Sequence, residues 1–174
     1  SYTQLIALGF LLIVLIGTIL LSLPIASESG EWTPTIDAFF TAASATCVTG
    51  LTVHNISEHF SLFGQIVILC LVQIGGIGFM TVLTMFSIFV KRQIGLYERK
   101  LLMQSAGSLR MSGIVRMIKN VVIGTLIFES AGAILLATRF CPKMGISKGI
   151  YNAIFHSVTA FCNAGFDLMG TRDG

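Results

Sequence analysis

From Phe60 to Val90 the chain carries no charged side chain, and from Leu5 to Leu23 it carries none either. At 1.5 Å per residue, a helix over the shorter run covers about 28 Å, close to the ~30 Å hydrocarbon core of a bilayer. The longer run reaches roughly 46 Å as a straight helix, so it needs tilt, a kink or an extension into water. The rest of the composition agrees: 54% of the 174 residues are hydrophobic and 11% charged, against about 25% charged in a soluble domain. The expected class is an all-α integral membrane protein.

A third span is expected over Asn120–Thr138, with Lys119 before it, Arg139 after it and Glu129 near its middle. A carboxylate inside a membrane is costly, so it should face protein, a water-filled cavity or a cation. Two roles stay open for Glu129, a hydrogen bond to a neighbouring helix or direct participation in transport. A secretory signal peptide does not account for Leu5–Leu23, because that run is too long and no Ala-x-Ala-like cleavage site follows. The chain begins at Ser1, and residues upstream of it are expected.

Charge sets the expected topology. Lys91, Arg92, Arg99, Lys100, Arg110, Arg116 and Lys119 are opposed locally only by Glu98, so the segment 91–119 is expected on the cytoplasmic side. The stretch 24–59 holds Glu28, Glu31, Asp37 and Glu58 without a Lys or Arg and is expected outside, as is 139–174. The net charge of +3 is concentrated in one stretch with no pattern of interleaved aromatics beyond the single Tyr97, which speaks for topology and against nucleic-acid binding. The four cysteines lack Cys-x-x-Cys spacing, so neither a structural disulfide nor a thiolate metal site is expected.

The residues around Gly50 recur around Gly165, 115 positions later and without a gap. The alignment pairs Ala38 with Ala153, Phe40 with Phe155, Ala45 with Ala160 and Cys47 with Cys162. A repeat on that period means one structural unit used more than once. The unit reads as a spanning helix, a short segment that enters the membrane from outside and returns, and a second helix. Thr33 as N-cap with Pro34 at the first helical position starts the first short helix, and Ser147 holds a similar place in the second.

The C-terminal ends of such helices carry negative partial charge that favours a cation. Irregular backbone at membrane depth is tolerated only where it is buried in protein or lines an aqueous path. Glycine at 50 and 165 permits the dihedrals that aligned carbonyls require. In Gln73-Ile74-Gly75-Gly76-Ile77-Gly78 the glycines point either to a hinge or to close helix packing.

Three segments, Ala45–Thr52, Gln73–Thr81 and Phe161–Phe166, carry a resemblance to the Trk/Ktr/HKT potassium transporter superfamily that extends over the whole chain. The resemblance is strongest to KtrB-type membrane subunits of bacterial potassium uptake systems. It implies potassium-channel-like architecture, with four helix–pore loop–helix repeats around one pore. Under it, residues 1–90 form the first repeat, with a span at 5–23, pore helix and filter at 34–53 and an inner helix at 60–90. Residues 91–119 form a cytoplasmic linker, and residues 120–174 an incomplete second repeat with span 120–138, pore helix and filter 148–168, and its inner helix after Gly174.

The resemblance implies potassium transport across the plasma membrane by a multi-pass, non-enzymatic subunit. The carbonyls of Val48, Thr49, Gly50 and Leu51 would line one quarter of the filter, and those of Asn163, Ala164, Gly165 and Phe166 another. Each loop has one glycine and no Thr-Val-Gly-Tyr-Gly run, which implies fewer ordered ion sites than in a potassium channel. Potassium is then the transported ion, sodium a candidate co-activator, and no covalent cofactor is expected. The implied partners are lipid, a second copy in a homodimer, and a KtrA-type cytoplasmic nucleotide-binding ring that could meet the basic stretch 91–119. Asp167 is expected either to draw cations to the pore mouth or to brace its loop.

Other classes find less support. A redox or haem subunit would need His54, His59 and His156 as ligands, but the first two lie outside the expected spans and the third stands alone. An intramembrane enzyme would need Glu129, Asp167 and Cys47 to converge, with no base beside a nucleophile. A carboxylate-coupled secondary transporter typically has inverted repeats, whereas these run in the same orientation.

Overall fold

The structure is a computed structural model that describes residues 2–78, 81 and 114–170. Its elements are α1 (Tyr2–Ser22), a 3-10 turn (Pro24–Ala26), α2 (Thr35–Thr46), α3 (Ile56–His59), α4 (Leu62–Ile77), α5 (Ile114–Met144) and α6 (Ile146–Phe161). Among the described residues there is no strand, only an isolated antiparallel bridge between Ser27 and Phe60.

Helix α1 packs against α2 and α4, α2 against α4, and α4 in turn against α6. The most extensive pairing is that of α5 with α6, which form a hairpin that turns at Gly145 with φ +84°. The shared core joins Val14 and Leu21 of α1, Ala38, Ala42 and Ala45 of α2, Ile68 and Val72 of α4, and Phe155 of α6, with Phe166 beyond α6.

Large apolar side chains cover the outside as well as the core, and several polar ones are buried. Phe128 and Leu135 on α5 are 67% and 72% exposed, while Glu129 between them in sequence is 7% exposed. Thr18, Thr41, Ser44, Thr46 and Thr159 are buried, and Leu8, Leu11, Leu12, Leu15 and Ile19 of α1 are exposed. Contiguous apolar surface on this scale is an aggregation hazard in water and the normal outer face of a helix in lipid. Among the described residues, one helical segment, Ile118–Met144, is both long and apolar enough to cross a membrane; Ile6–Ser22 and Leu62–Ile77 are shorter apolar helices.

Several boundaries differ from expectation. The third long helix does not stop at Thr138 but runs from Ile114 to Met144 through Arg139 and Pro142, so the last residues of the expected linker, 114–119, are already helical. The rest of that linker, 91–113, lies outside the described residues. The helix expected over 60–90 begins at Leu62, with the Ser61 side chain accepting from the Gly64 N–H at 3.4 Å, and reaches Ile77. Gly78 at φ +92° then caps it; residues 82–90 lie outside the described residues.

Both expected helix starts shift by a residue or two. Pro34 is itself the N-cap of α2, because its ψ of 132° is extended while its carbonyl accepts the first helical bond from Ala38 N–H at 3.0 Å. The Thr33 hydroxyl does not cap; it is buried and bonds His59 Nε2 at 3.1 Å. Ser147 lies inside the first turn of α6, whose N-cap is Gly145.

Candidate functional site

The segments around Gly50 and Gly165 are built by one local device used twice. At the end of α2, Thr49 N–H bonds the Ser44 carbonyl at 2.9 Å, and Val48 N–H bonds that of Ala45 at 3.3 Å. At the end of α6, the equivalent bonds run from Ala164 to Thr159 at 2.8 Å and from Asn163 to Ala160 at 3.0 Å. This is a Schellman ending, which needs a left-handed residue just past the helix. Val48 at φ +57° and Asn163 at φ +60° supply it.

Val48 and Asn163 are the only non-glycine residues at positive φ among the described residues. Asparagine tolerates that region, whereas a β-branched valine there is strained by roughly 1–2 kcal/mol. Two residues further on, Gly50 at φ +73° and Gly165 at φ +71° are left-handed again, with Thr49 and Ala164 between them at negative φ. Alternating handedness turns successive carbonyls toward one side, where an extended strand sends them to opposite sides.

The carbonyls of Val48, Thr49, Gly50, Leu51, Asn163, Ala164 and Gly165 accept no hydrogen bond from the described residues. That of Phe166 differs: it accepts the Thr159 hydroxyl at 3.1 Å, and the residue is buried. In the first loop the Thr49 hydroxyl donates to Ser44 Oγ at 2.9 Å, so it braces the helix end.

The two loops meet. A cavity of about 410 Å³ is lined by Gly50, Thr52 and Val53 from one loop and by Gly165, Phe166 and Asp167 from the other, with His54, Asn55, Ile56 and Gly170 completing it. A Cβ placed on Gly50 would fall on the carbonyl oxygen of Ala164, so glycine there is required by the approach of the second loop as well as by φ. Nothing crowds Gly165 in the same way. Both helix ends also rest on α4. A Cβ at Gly75 would overlap the Thr46 carbonyl, and one at Gly76 would overlap Cys162 Sγ. The paired glycines therefore serve close packing, and Gly78 supplies the break.

Asp167 lines the cavity, and its Oδ1 accepts the Met169 N–H and lies 3.7 Å from His156 Nε2. His156 Nδ1 donates to the Asn152 carbonyl at 2.8 Å, and Nε2 accepts the Leu168 N–H at 3.5 Å. His54 pairs with Asp37 at 2.9 Å and stacks on His59 with ring centroids 4.2 Å apart. Burial, together with the neighbouring His54 charge, pushes the His59 imidazole below its usual range, with Asp37 opposing in part. Among the described residues no three of His, Cys, Asp and Glu are grouped as metal ligands.

Glu129 is not at this cavity. Its Oε2 accepts from Gln73 Nε2 at 3.1 Å, and it borders a separate, largely apolar groove of about 960 Å³ between α4, α5 and α6. Gln73 was legible as one of two amides, with Gln65, in the apolar helix Leu62–Ile77. The left-handed turn at Val48 was not, because valine disfavours it.

The chain matches the family described as TrkH, cation transport protein, over residues 4–171. The potassium/sodium uptake protein NtpJ of Enterococcus hirae is 44% identical over 170 residues, covering 98% of this chain and 38% of that protein. Ktr system potassium uptake protein B of Bacillus subtilis is 41% identical over 166 residues, covering 95% and 37%. The same-named protein of Vibrio alginolyticus is 39% identical over 166 residues, covering 95% and 36%. The chain thus spans less than two fifths of the length of these relatives.

Proposed function

The chain belongs to the TrkH family of cation transport proteins, and from that premise we propose that it forms part of a membrane pathway for potassium. Backbone carbonyls of Val48–Leu51 and Asn163–Phe166 contribute two quarters of its selectivity filter. The observation that carries this reading is the matched alternation of handedness at 48/50 and 163/165, on two loops that meet at one cavity, which Gly50, Gly165 and Phe166 line. The ends of α2 and α6 lead directly into these loops, so their negative partial charge adds to the attraction.

Helix α1, with 21 residues, is about 31 Å long and matches the ~30 Å core of a bilayer. Together with α5 it makes the protein multi-pass, with the basic stretch 91–119 cytoplasmic and the loops opening outward. Phe166, whose carbonyl already accepts one hydrogen bond, contributes through its second lone pair. Asp167, held by the Met169 N–H, braces the second loop. As the names of the Ktr relatives imply a multi-component system, a cytoplasmic regulatory ring and a second copy of the chain are the proposed partners.

The test is uptake in cells lacking their own potassium uptake, using the full open reading frame that encodes this chain. Saturable potassium or rubidium uptake that sodium competes for poorly is the expected result. No uptake by protein present in the membrane, or equal handling of sodium and potassium, would refute the reading.

A further inference from the structure

We infer that Glu129 and Gln73 are positioning residues for the second loop and thereby help set cation discrimination; this rests on the function proposed above. The two loops are braced differently. In the first, the hydroxyls of Ser44 and Thr49 tie the loop to its own helix. The corresponding residues of the second are Thr159 and Ala164, and Ala164 has no hydroxyl to offer.

The second loop is tied to its own helix through the Thr159 hydroxyl, which donates to the Phe166 carbonyl at 3.1 Å, and is tied across helices as well. Cys162, at the end of α6, donates from Sγ to Gln73 Oε1 at 3.8 Å. The same amide donates from Nε2 to Glu129 Oε2 at 3.1 Å. The partners' chemistry fixes the amide orientation, since a carboxylate oxygen accepts and a thiol donates. Glu129 is itself held to α6, because Ser157 Oγ donates to its backbone carbonyl at 2.7 Å. Gly132, one turn later on α5, keeps the helices close, as a Cβ there would overlap Ser157 Oγ. Gly76 brings α4 against Cys162 in the same way.

The line Cys162–Gln73–Glu129 therefore connects the residue just before the left-handed Asn163 to two other helices. In apolar surroundings each link is stronger than in water, and an unpaired group costs more. Glu129 reaches no filter carbonyl itself; it acts through Gln73. What matters under this inference is the hydrogen bond, not the charge. A carboxamide at 129 preserves it, and exchanging the two groups rebuilds it.

The experiment compares potassium and sodium uptake by the full open reading frame with the variants E129A, Q73L, E129Q and the exchange Q73E/E129Q, with G165S as reference. Expected are a roughly three- to tenfold fall in the potassium-to-sodium ratio and a raised potassium KM in E129A and Q73L. E129Q and the exchange should keep both close to wild type. A merely structural role lowers the amount of transporter and its maximal rate but leaves the ratio unchanged, so an unchanged ratio in E129A and Q73L overturns the inference. E129Q as impaired as E129A, without rescue by the exchange, also overturns it, since charge is then what acts. If G165S shifts the ratio while E129A and Q73L do not, only this inference fails. If G165S shifts nothing, the filter reading fails and takes this one with it.

Discussion

Replacing Gly50 and Gly165 by alanine separates two physical requirements that the sequence repeat alone would treat as one. Both residues are left-handed, at φ +73° and +71°, and alanine there costs about 1–2 kcal/mol. Since each 1.4 kcal/mol is tenfold, the filter conformer of either loop should lose roughly five- to thirtyfold in population against one with a flipped peptide. At Gly165 that is the whole effect, for nothing lies within 4 Å of the new methyl group. At Gly50 the methyl also lands on the Ala164 carbonyl, and a loop displaced by about 1 Å no longer holds coordinating groups in place. Gly30, at φ +72° with open space around it, provides a control that carries the strain without the site. Potassium and sodium uptake should therefore rank discrimination as wild type and G30A highest, G165A lower, and G50A lowest. G50A as selective as G165A would refute the proposed contact between loops, and two variants as selective as wild type would refute the filter itself.

T49V should lower thermal stability by about 1 kcal/mol, the worth of one hydrogen bond, and lower discrimination through the lost brace to Ser44, an effect that S44A should reproduce; a loss in T49V without one in S44A would make that hydroxyl an ion ligand. G76A should reduce stability by about 1–3 kcal/mol through overpacking against Cys162, measured as the melting temperature in detergent; an unaltered value would mean that α4 is free to move. The lowered pKa of His59 means that the unfolded chain binds its proton more tightly, so this contribution to stability is present above the ordinary value of 6.5 and is lost as pH falls through the lower, folded value. Melting in the acid range should therefore be shallower with pH in H59Q than in wild type. An equal pH dependence would show that the contacts of His59 with Thr33, His54 and Asp37 do not control its proton.

The strongest signals in the sequence were those that bulk chemistry imposes. Charge-free runs force burial in lipid or protein, and clustered Lys and Arg choose a side. The spacing that pairs Gly50 with Gly165 marks a unit used twice, and the hydrogen bonds at the ends of α2 and α6 recur at that same spacing. Helix limits were less legible. Pro34 looked like a first helical residue, yet its extended ψ makes it the cap, and Thr33 is taken by a histidine 26 positions away.

Tertiary structure alone decided which groups meet. Alignment placed Gly50 opposite Gly165, but only the packing of α2, α4 and α6 brings Gly50 against Ala164, Gly75 against Thr46 and Gly76 against Cys162. It also resolved Glu129 into a partner of Gln73, far from it in sequence. The reason is physical. Solvent preference and local dihedral preference are properties of residue types and their neighbours, and so are written along the chain. A contact between distant segments depends on the angles and depths at which helices pack, which no single stretch of residues specifies.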